Sequence, residues 1–275
     1  MLLNDGIAVS TDHILLVPYE KRHVPLYHRW MQDKDIQTAT ASEPLSIEEE
    51  HAMQGSWRTD GDKLTFIVCK PLAKLMDLEK VPLEVQGGMD DAEHRMLGDV
   101  NLFITPSDDD PEVLIGELEL MIAETTSQGK GHGKAALLAF LKYMTTYEEQ
   151  ILREYKKWAS LENPSLEADR GALSSTTNDQ EESKLGGKGE RIVGSTRFGY
   201  LRARIRKDNL RSMALFDHAG FALQDTTPNY FGELEMKMEG HFLGENDQQF
   251  TREWWGDSWG VNGWTILKYR QSIKI

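Results

Sequence analysis

The chain has 275 residues, room for one large domain or one domain with extensions. Its formal charge of −14 excludes a general nucleic-acid binder, and its single cysteine, Cys69, excludes an internal disulfide and a cysteine-based zinc site. The start, MLLNDGIAV, lacks a basic segment followed by a long apolar run, and no stretch reaches the roughly 18–20 apolar residues of a membrane span. A soluble, cytoplasmic protein is expected, with neither nucleic acid nor membrane as partner.

In chain order, His13 to Tyr19 predicts a first strand, stopped at Pro18, and His23 to Met31 a helix. Gln32 to Pro44 is a polar loop. Ser46 to Trp57 predicts a second helix, with Ser46 as N-cap and Glu49 completing a capping box. Trp30 and Trp57 are expected core anchors. His23 and His28 are five residues apart, so they do not share a helix face as a metal pair, and no metal is expected. Lys63 to Lys70 and Met96 to Thr105 predict the second and third strands, separated by a loop from Pro71 to Arg95. Asp108, Asp109 and Asp110 lack the spacing of a calcium loop and read as a solvated turn.

Gly116 to Ala123 predicts the fourth strand, with Glu117, Glu119 and Met121 on one face and Leu118, Leu120 and Ile122 on the other. A turn, QGKGHG from Gln128 to Gly133, leads into a helix marked by Leu137, Phe140, Leu141 and Met144. A glycine loop entering a helix leaves backbone N–H groups unpaired at the positive end of the helix dipole, which makes a phosphate site. It is not a P-loop: Ala135 follows Gly133-Lys134, and Gln128 stands where a glycine is required. It is not a dinucleotide fingerprint either, since Lys134 stands where Gly129-x-Gly131 should be completed by a third glycine. The pattern that fits is Q/R-x-x-G-x-G/A, on Gln128, Gly131 and Gly133.

Tyr147 to Trp158 continues as a charged helix. Ser160 to Glu190 has almost no apolar content and is expected to be a disordered insertion. Arg191 to Ile205 predicts the fifth strand, clearest from Phe198. Leu210 to His218 predicts a helix between an Asn209 cap and a stop at Gly220. Phe221 to Asp225 and Tyr230 to Glu239 predict two terminal strands. The remaining stretch, Gly240 to Ile275, holds Trp254, Trp255, Trp259 and Trp264, which are expected to fold back and cap a sheet edge.

Two of these segments, Gln128-x-x-Gly131-x-Gly133 and Asn209-x-x-Ser212 closing at Gly220-Phe221, resemble the signature segments of the GNAT N-acetyltransferase superfamily. A narrower likeness is carried by Ala39 to Leu45, Lys63-x-Thr65-Phe66-Ile67-Val68, Gly98-Asp99-Val100-Asn101-Leu102-Phe103, and Gly116-Glu117-x-Glu119-x-Met121-Ile122-Ala123-Glu124. These are similar to the N-acetyltransferase 9 family over Ile14 to Phe221, the insertion apart. The length, the insertion and the tryptophan-rich end depart from that family's shorter members.

The resemblance implies an α/β (α+β) fold, with a mixed central sheet of about seven strands and a splayed cleft between the fourth and fifth. It places an acetyltransferase domain at 1–239, with the insertion at 160–190, and a tryptophan-rich extension at 240–275. It implies an enzyme with acetyl-CoA as co-substrate. Backbone groups of Met121 and Ala123 would pair with the pantetheine amides, and an N–H near Met121 and Ile122 would polarise the thioester carbonyl. Gln128 and the N–H groups of Gly129, Lys130, Gly131, His132, Gly133 and Lys134 would hold the pyrophosphate. Asn209 would touch pantetheine or the departing thiol, supported by Ser212. By the same likeness Glu117 is the general base and Glu119 the second candidate. Many relatives carry a tyrosine acid where this chain has Phe216, so that acid is missing, and Arg204 is a candidate to steady the thiolate. Glu43 lies where an acceptor would be selected. The implied acceptor is a protein N-terminal α-amine, tubulin by family resemblance. A non-catalytic acetyl-CoA-binding or microtubule-binding scaffold and a small-amine acetyltransferase stay open as alternatives.

Overall fold

The computed structural model describes residues 1–72, 84–111, 113–162, 198–239 and 261–271. Local signals set most of its elements. Helix α1 (Val24–Met31) carries Pro25 in its first turn, where no N–H is needed, and buries Val24, Tyr27, Trp30 and Met31 at helical spacing. Helix α2 (Lys34–Ala39) occupies part of the expected loop and is capped by the Asp33 side chain. Helix α3 (Ile47–Thr59) opens with the Ser46–Glu49 capping box, both bonds present. Helix α4 (His132–Glu162) breaks its helical geometry at Tyr147 (φ −117°, ψ 17°), where its two predicted halves meet. Helix α5 (Leu210–His218) has the expected bounds, with Asn209 Oδ1 accepting from Ser212 N at 3.1 Å.

The strands are β1 (Ile7–Ser10), β2 (Leu15–Pro18), β3 (Lys63–Cys69), β4 (Glu84–Gln86), β5 (Met96–Pro106), β6 (Leu114–Ile122), β7 (Phe198–Arg206), β8 (Ala222–Leu223), β9 (Glu233–Glu239) and β10 (Thr265–Arg270). They form one sheet in the order β4-β10-β1-β2-β3-β5-β6-β7-β9-β8. Among the described residues only the pairs β6–β7 and β10–β4 are parallel. The architecture is the expected mixed α/β one, with ten strands among the described residues rather than about seven. The three additions, β1, β4 and β10, are short and lie at one end of the sheet. β4 and β10 pair with partners far away in sequence, and β1 pairs with both its neighbour β2 and the distant β10, so short local patterns do not announce them.

The sheet separates two apolar layers. On one side α4 and α5 pack Phe140, Tyr143 and Phe216 onto Phe66, Leu118 and Leu201. On the other, α1 packs Tyr27 and Trp30 near Val17, Ile67 and Met96, with Trp57 of α3 at the margin. Trp30 is buried and donates Nε1–H to Glu124 at 2.9 Å, while Trp57 is half-buried and meets Phe103 edge-on. Strand β10 is pinned through Tyr269, whose hydroxyl donates to buried Asp91 at 2.6 Å. Asp91 also accepts from Gly88 N and Arg22. Trp264 donates Nε1–H to Ala139 O at 3.2 Å, and Lys142 Nζ lies 4.5 Å from its ring centroid. This tryptophan folds back onto the body, but against helix α4 and not at a sheet edge. Trp254, Trp255 and Trp259 lie outside the described residues, as does most of the expected insertion.

Candidate active site

The site begins where two strands part. β6 and β7 pair in parallel from Leu114↔Phe198 to Glu117↔Arg202. Beyond that register β6 stays on β5 as far as Ile122↔Gly98, while β7 stays on β9 as far as Arg206↔Glu233. The wedge between them is the expected cleft. It opens into a cavity of about 490 Å³ whose walls include residues of α1, α3, β5, β6 and α5. Phe216 lines the cavity and stacks edge-to-face on Phe221, ring centroids 5.0 Å apart, so it offers packing and no proton.

At one end of the wedge lies the glycine loop. Gln128 Nε2 donates to Ile122 O at 2.8 Å, clamping the loop to the end of β6. Gly129 (φ +75°) and Gly131 (φ +86°) take left-handed conformations, and a Cβ on Gly131 would meet nothing within 4 Å. Helix α4 starts with Ala135 N donating to Gly131 O. Among the described residues no group accepts from the N–H of Gly129, Lys130, Gly131, His132 or Gly133. His132 Nδ1–H bonds His13 O at 3.1 Å, and burial lowers its pKa. A Cβ at Gly129 would come within 2.7 Å of Arg211 Nη2, so this guanidinium, on the first turn of α5, lies against the loop. The loop therefore offers N–H donors and a cation, the chemistry a pyrophosphate needs.

The backbone of β6 departs from the expected arrangement. Ala123 N–H is engaged by Leu97 O at 2.8 Å, so it points to β5 and away from the wedge. The two-residue alternation turns the backbone of Met121 the same way, since Met121 pairs with Asp99. The groups of β6 that face the wedge are those of Leu118, Leu120 and Ile122. Of the three residues offered by resemblance, Ile122 alone presents its backbone there.

Side-chain alternation is as expected: Glu117, Glu119 and Met121 share the α1/α3 side. Glu117 is tied up. Arg202 Nε and Nη2 reach its Oε2 at 2.8 and 2.7 Å, and Arg204 Nη1 lies at 3.5 Å. Arg204 thus braces Glu117 while lining the cavity. Among the described residues Glu119 has no such partner. By accessible area it is exposed, but that area opens into a cavity walled by protein, and the walls set its hydration. Loss of water pushes its carboxyl up to about 8, helped by the charges of Asp99, Glu117 and Glu233. Buried Asp99 accepts from Tyr27 OH at 3.0 Å and Asn101 Nδ2 at 2.9 Å, yet burial still raises it to about 6. Glu43 lies exposed on the wall, and Asn209 and Ser212 line the cavity too. Asn209 Oδ1 is already engaged as the α5 cap. Sequence reasoning missed Tyr27, Glu50, Asp99, Asn101 and Arg211. The alternation of Asp99 and Asn101 on one strand face was the only signal available.

The family profile described as an acetyltransferase (GNAT) domain matches residues 13–222. The chain is 39% identical over 163 residues to the alpha/beta-tubulin-N-acetyltransferase 9 of Drosophila melanogaster, covering 59% of this chain and 75% of that one. It is 46% identical over 147 residues to the human protein of the same name, covering 53% and 65%. It is 39% identical over 191 residues to an N-acetyltransferase 9-like protein of Schizosaccharomyces pombe, covering 60% and 87%. Cleft, glycine loop and sequence agree: this chain belongs to the GNAT acetyltransferases and, within them, to the N-acetyltransferase 9 family.

Proposed function

We propose that the chain moves the acetyl group of acetyl-CoA onto the α-amine of a protein N-terminus, with tubulin, named for the Drosophila and human relatives, as acceptor. Bound acetyl-CoA supplies an activated acetyl thioester. The unpaired N–H groups of Gly129 to Gly133, with Arg211, suit its pyrophosphate, and the wedge-facing backbone of Leu120 and the N–H of Ile122, whose carbonyl is taken by Gln128, suit its amide-bearing arm. One observation carries the acceptor side: Glu119 stands beside that wedge in a cavity rich in carboxylates, without the arginine partner that engages Glu117.

An α-amino group has a pKa of about 7.7–8.0, so it arrives largely as an ammonium. The acidic wall attracts that cation. Glu119 then accepts a proton from the nitrogen, and the two acidities match closely enough for transfer in either direction. Glu119 takes this role in preference to Glu117, whose charge is committed to Arg202. Asp99, held by Tyr27 and Asn101, keeps Glu119 basic through its negative charge. With Phe216 in place of a hydroxyl, that position offers the departing thiolate no proton.

The test is release of CoA from acetyl-CoA in the presence of N-terminal peptides and small amines. The reading expects peptide-dependent release, abolished by Gly131→Asp, which places a negative charge in the phosphate loop. Release from small amines alone would replace the protein acceptor with a small one. Tight acetyl-CoA binding with no release on any acceptor would support a scaffold.

A further inference from the structure

Glu50 of α3 lines the same cavity but takes no part in the chemistry above. It is 1% exposed, and neither carboxyl oxygen has a hydrogen-bond partner among the described residues. His28 Nδ1 stands 3.7 Å from Oε2, within electrostatic contact and beyond hydrogen-bond reach. Asn101 lines the same cavity and is 3% exposed. Its Nδ2 is given to Asp99, and its Oδ1 has no donor among the described residues. Burying a carboxylate without a donor is costly, and structures retain it where a partner completes it.

His28 Nδ1, 3.7 Å from Glu50 Oε2, is also unmet among the described residues, but an anion there would face the Glu50 carboxylate. The unmet groups of Glu50 and Asn101 are acceptor oxygens. A group that only donates, an ammonium or a guanidinium, satisfies them. The position also differs from that of Glu119. Glu50 stands on α3 and Glu119 on β6, so the cavity carries these two carboxylates on different elements of its wall.

We propose that Glu50, with Asn101, forms a second cation subsite that takes the basic side chain of an acceptor peptide whose α-amine sits at Glu119. The inference rests on the transfer reading and sharpens its substrate class: an N-terminus followed closely by Lys or Arg. A linear diamine presents the same chemistry from a small molecule.

The test uses the full chain and peptides that differ only at the second residue: Arg, Lys or norleucine. kcat/KM is measured for the free peptides, and Kd for labelled copies already acetylated at the α-amine. Both are repeated with Glu50→Gln, a near-isosteric change that removes no existing hydrogen bond and is checked by an unaltered Tm. A hydrogen bond to a charged group supports a preference of about tenfold or more for the basic peptides. Glu50→Gln is expected to bring that ratio close to one. The ratio within each protein is the readout, so a general loss of activity does not imitate it. Equal kcat/KM and equal Kd for basic and norleucine peptides in the wild type would overturn the subsite and leave acetyl transfer standing. Basic-selective binding lost in Glu50→Gln, without turnover, would keep the subsite and reject transfer. A diamine acetylated better than the Arg peptide by the wild type alone would keep the cation chemistry and overturn the peptide as its source.

Discussion

Replacing Glu119 by Gln keeps the shape of the side chain and removes its ability to hold a proton. A positioned general base contributes about 10²–10⁴-fold, so kcat/KM should fall by that order at pH 8 and above. The pH dependence is more diagnostic than the size. With a midpoint at about 8, about half of Glu119 is ionised at pH 8 and roughly one part in a hundred at pH 6. The ratio of wild-type to variant kcat/KM cancels the titration of the amine, which both enzymes share. That ratio should fall roughly fiftyfold from pH 8 to pH 6 and level off above about pH 9. Stability gives an independent check. The folded carboxyl sits well above its ordinary 4.5, so the native state holds a proton that the unfolded chain has released between those two values. Wild-type stability contributed by this group is intact below 4.5 and is lost as pH rises through about 8. The Tm gain of Glu119→Gln should therefore grow across that window. Stopped assays of CoA release from pH 6 to pH 9.5 measure the first effect, and thermal melts the second. A ratio near one, or one independent of pH, would refute the assignment.

Four further outcomes follow from the same geometry. Asp99→Asn removes the largest charge acting on Glu119, so the midpoint of the pH–rate ratio should move below 8; an unmoved midpoint would separate the two groups. Gly131→Ala puts a Cβ at φ +86° and should cost about 1–2 kcal/mol and weaken acetyl-CoA binding. Gly133→Ala meets only ordinary contacts at 3.6 Å and beyond, so it should leave Tm nearly unchanged, as melts and calorimetric titration would show. Trp264→Ala removes the bond to Ala139 and the Lys142 contact, and should cost about 2–3 kcal/mol by denaturant unfolding.

The parts of the site that the sequence reveals are those written in one short segment. The glycine loop is one, because Gly129 and Gly131 need left-handed backbone and sit at a helix start. Helix α5 is another, because Asn209 caps it and Gly220 stops it. Which carboxylate is basic was not legible. Glu117 and Glu119 look alike on a strand, and only Arg202, 85 residues downstream of Glu117, distinguishes them. Asp99 and Glu50 come from β5 and α3, and their unusual character is produced by burial alone. The direction of the Ala123 N–H was hidden for a similar reason: it depends on pairing with Leu97 and not on its own residue type. Strand β10 was masked by its setting, since Leu267 and Tyr269 face inward from a stretch whose composition reads as loop.

The central claim is acetyl transfer to a protein N-terminus at the wedge between β6 and β7. The most direct measurement is mass spectrometry of a tubulin N-terminal peptide incubated with acetyl-CoA and the full chain, with fragmentation to locate the added group. The account predicts one acetyl group on the α-nitrogen, absent with Gly131→Asp and strongly reduced with Glu119→Gln. An acetyl group only on lysine side chains, or α-acetylation unaffected by either substitution, would contradict it.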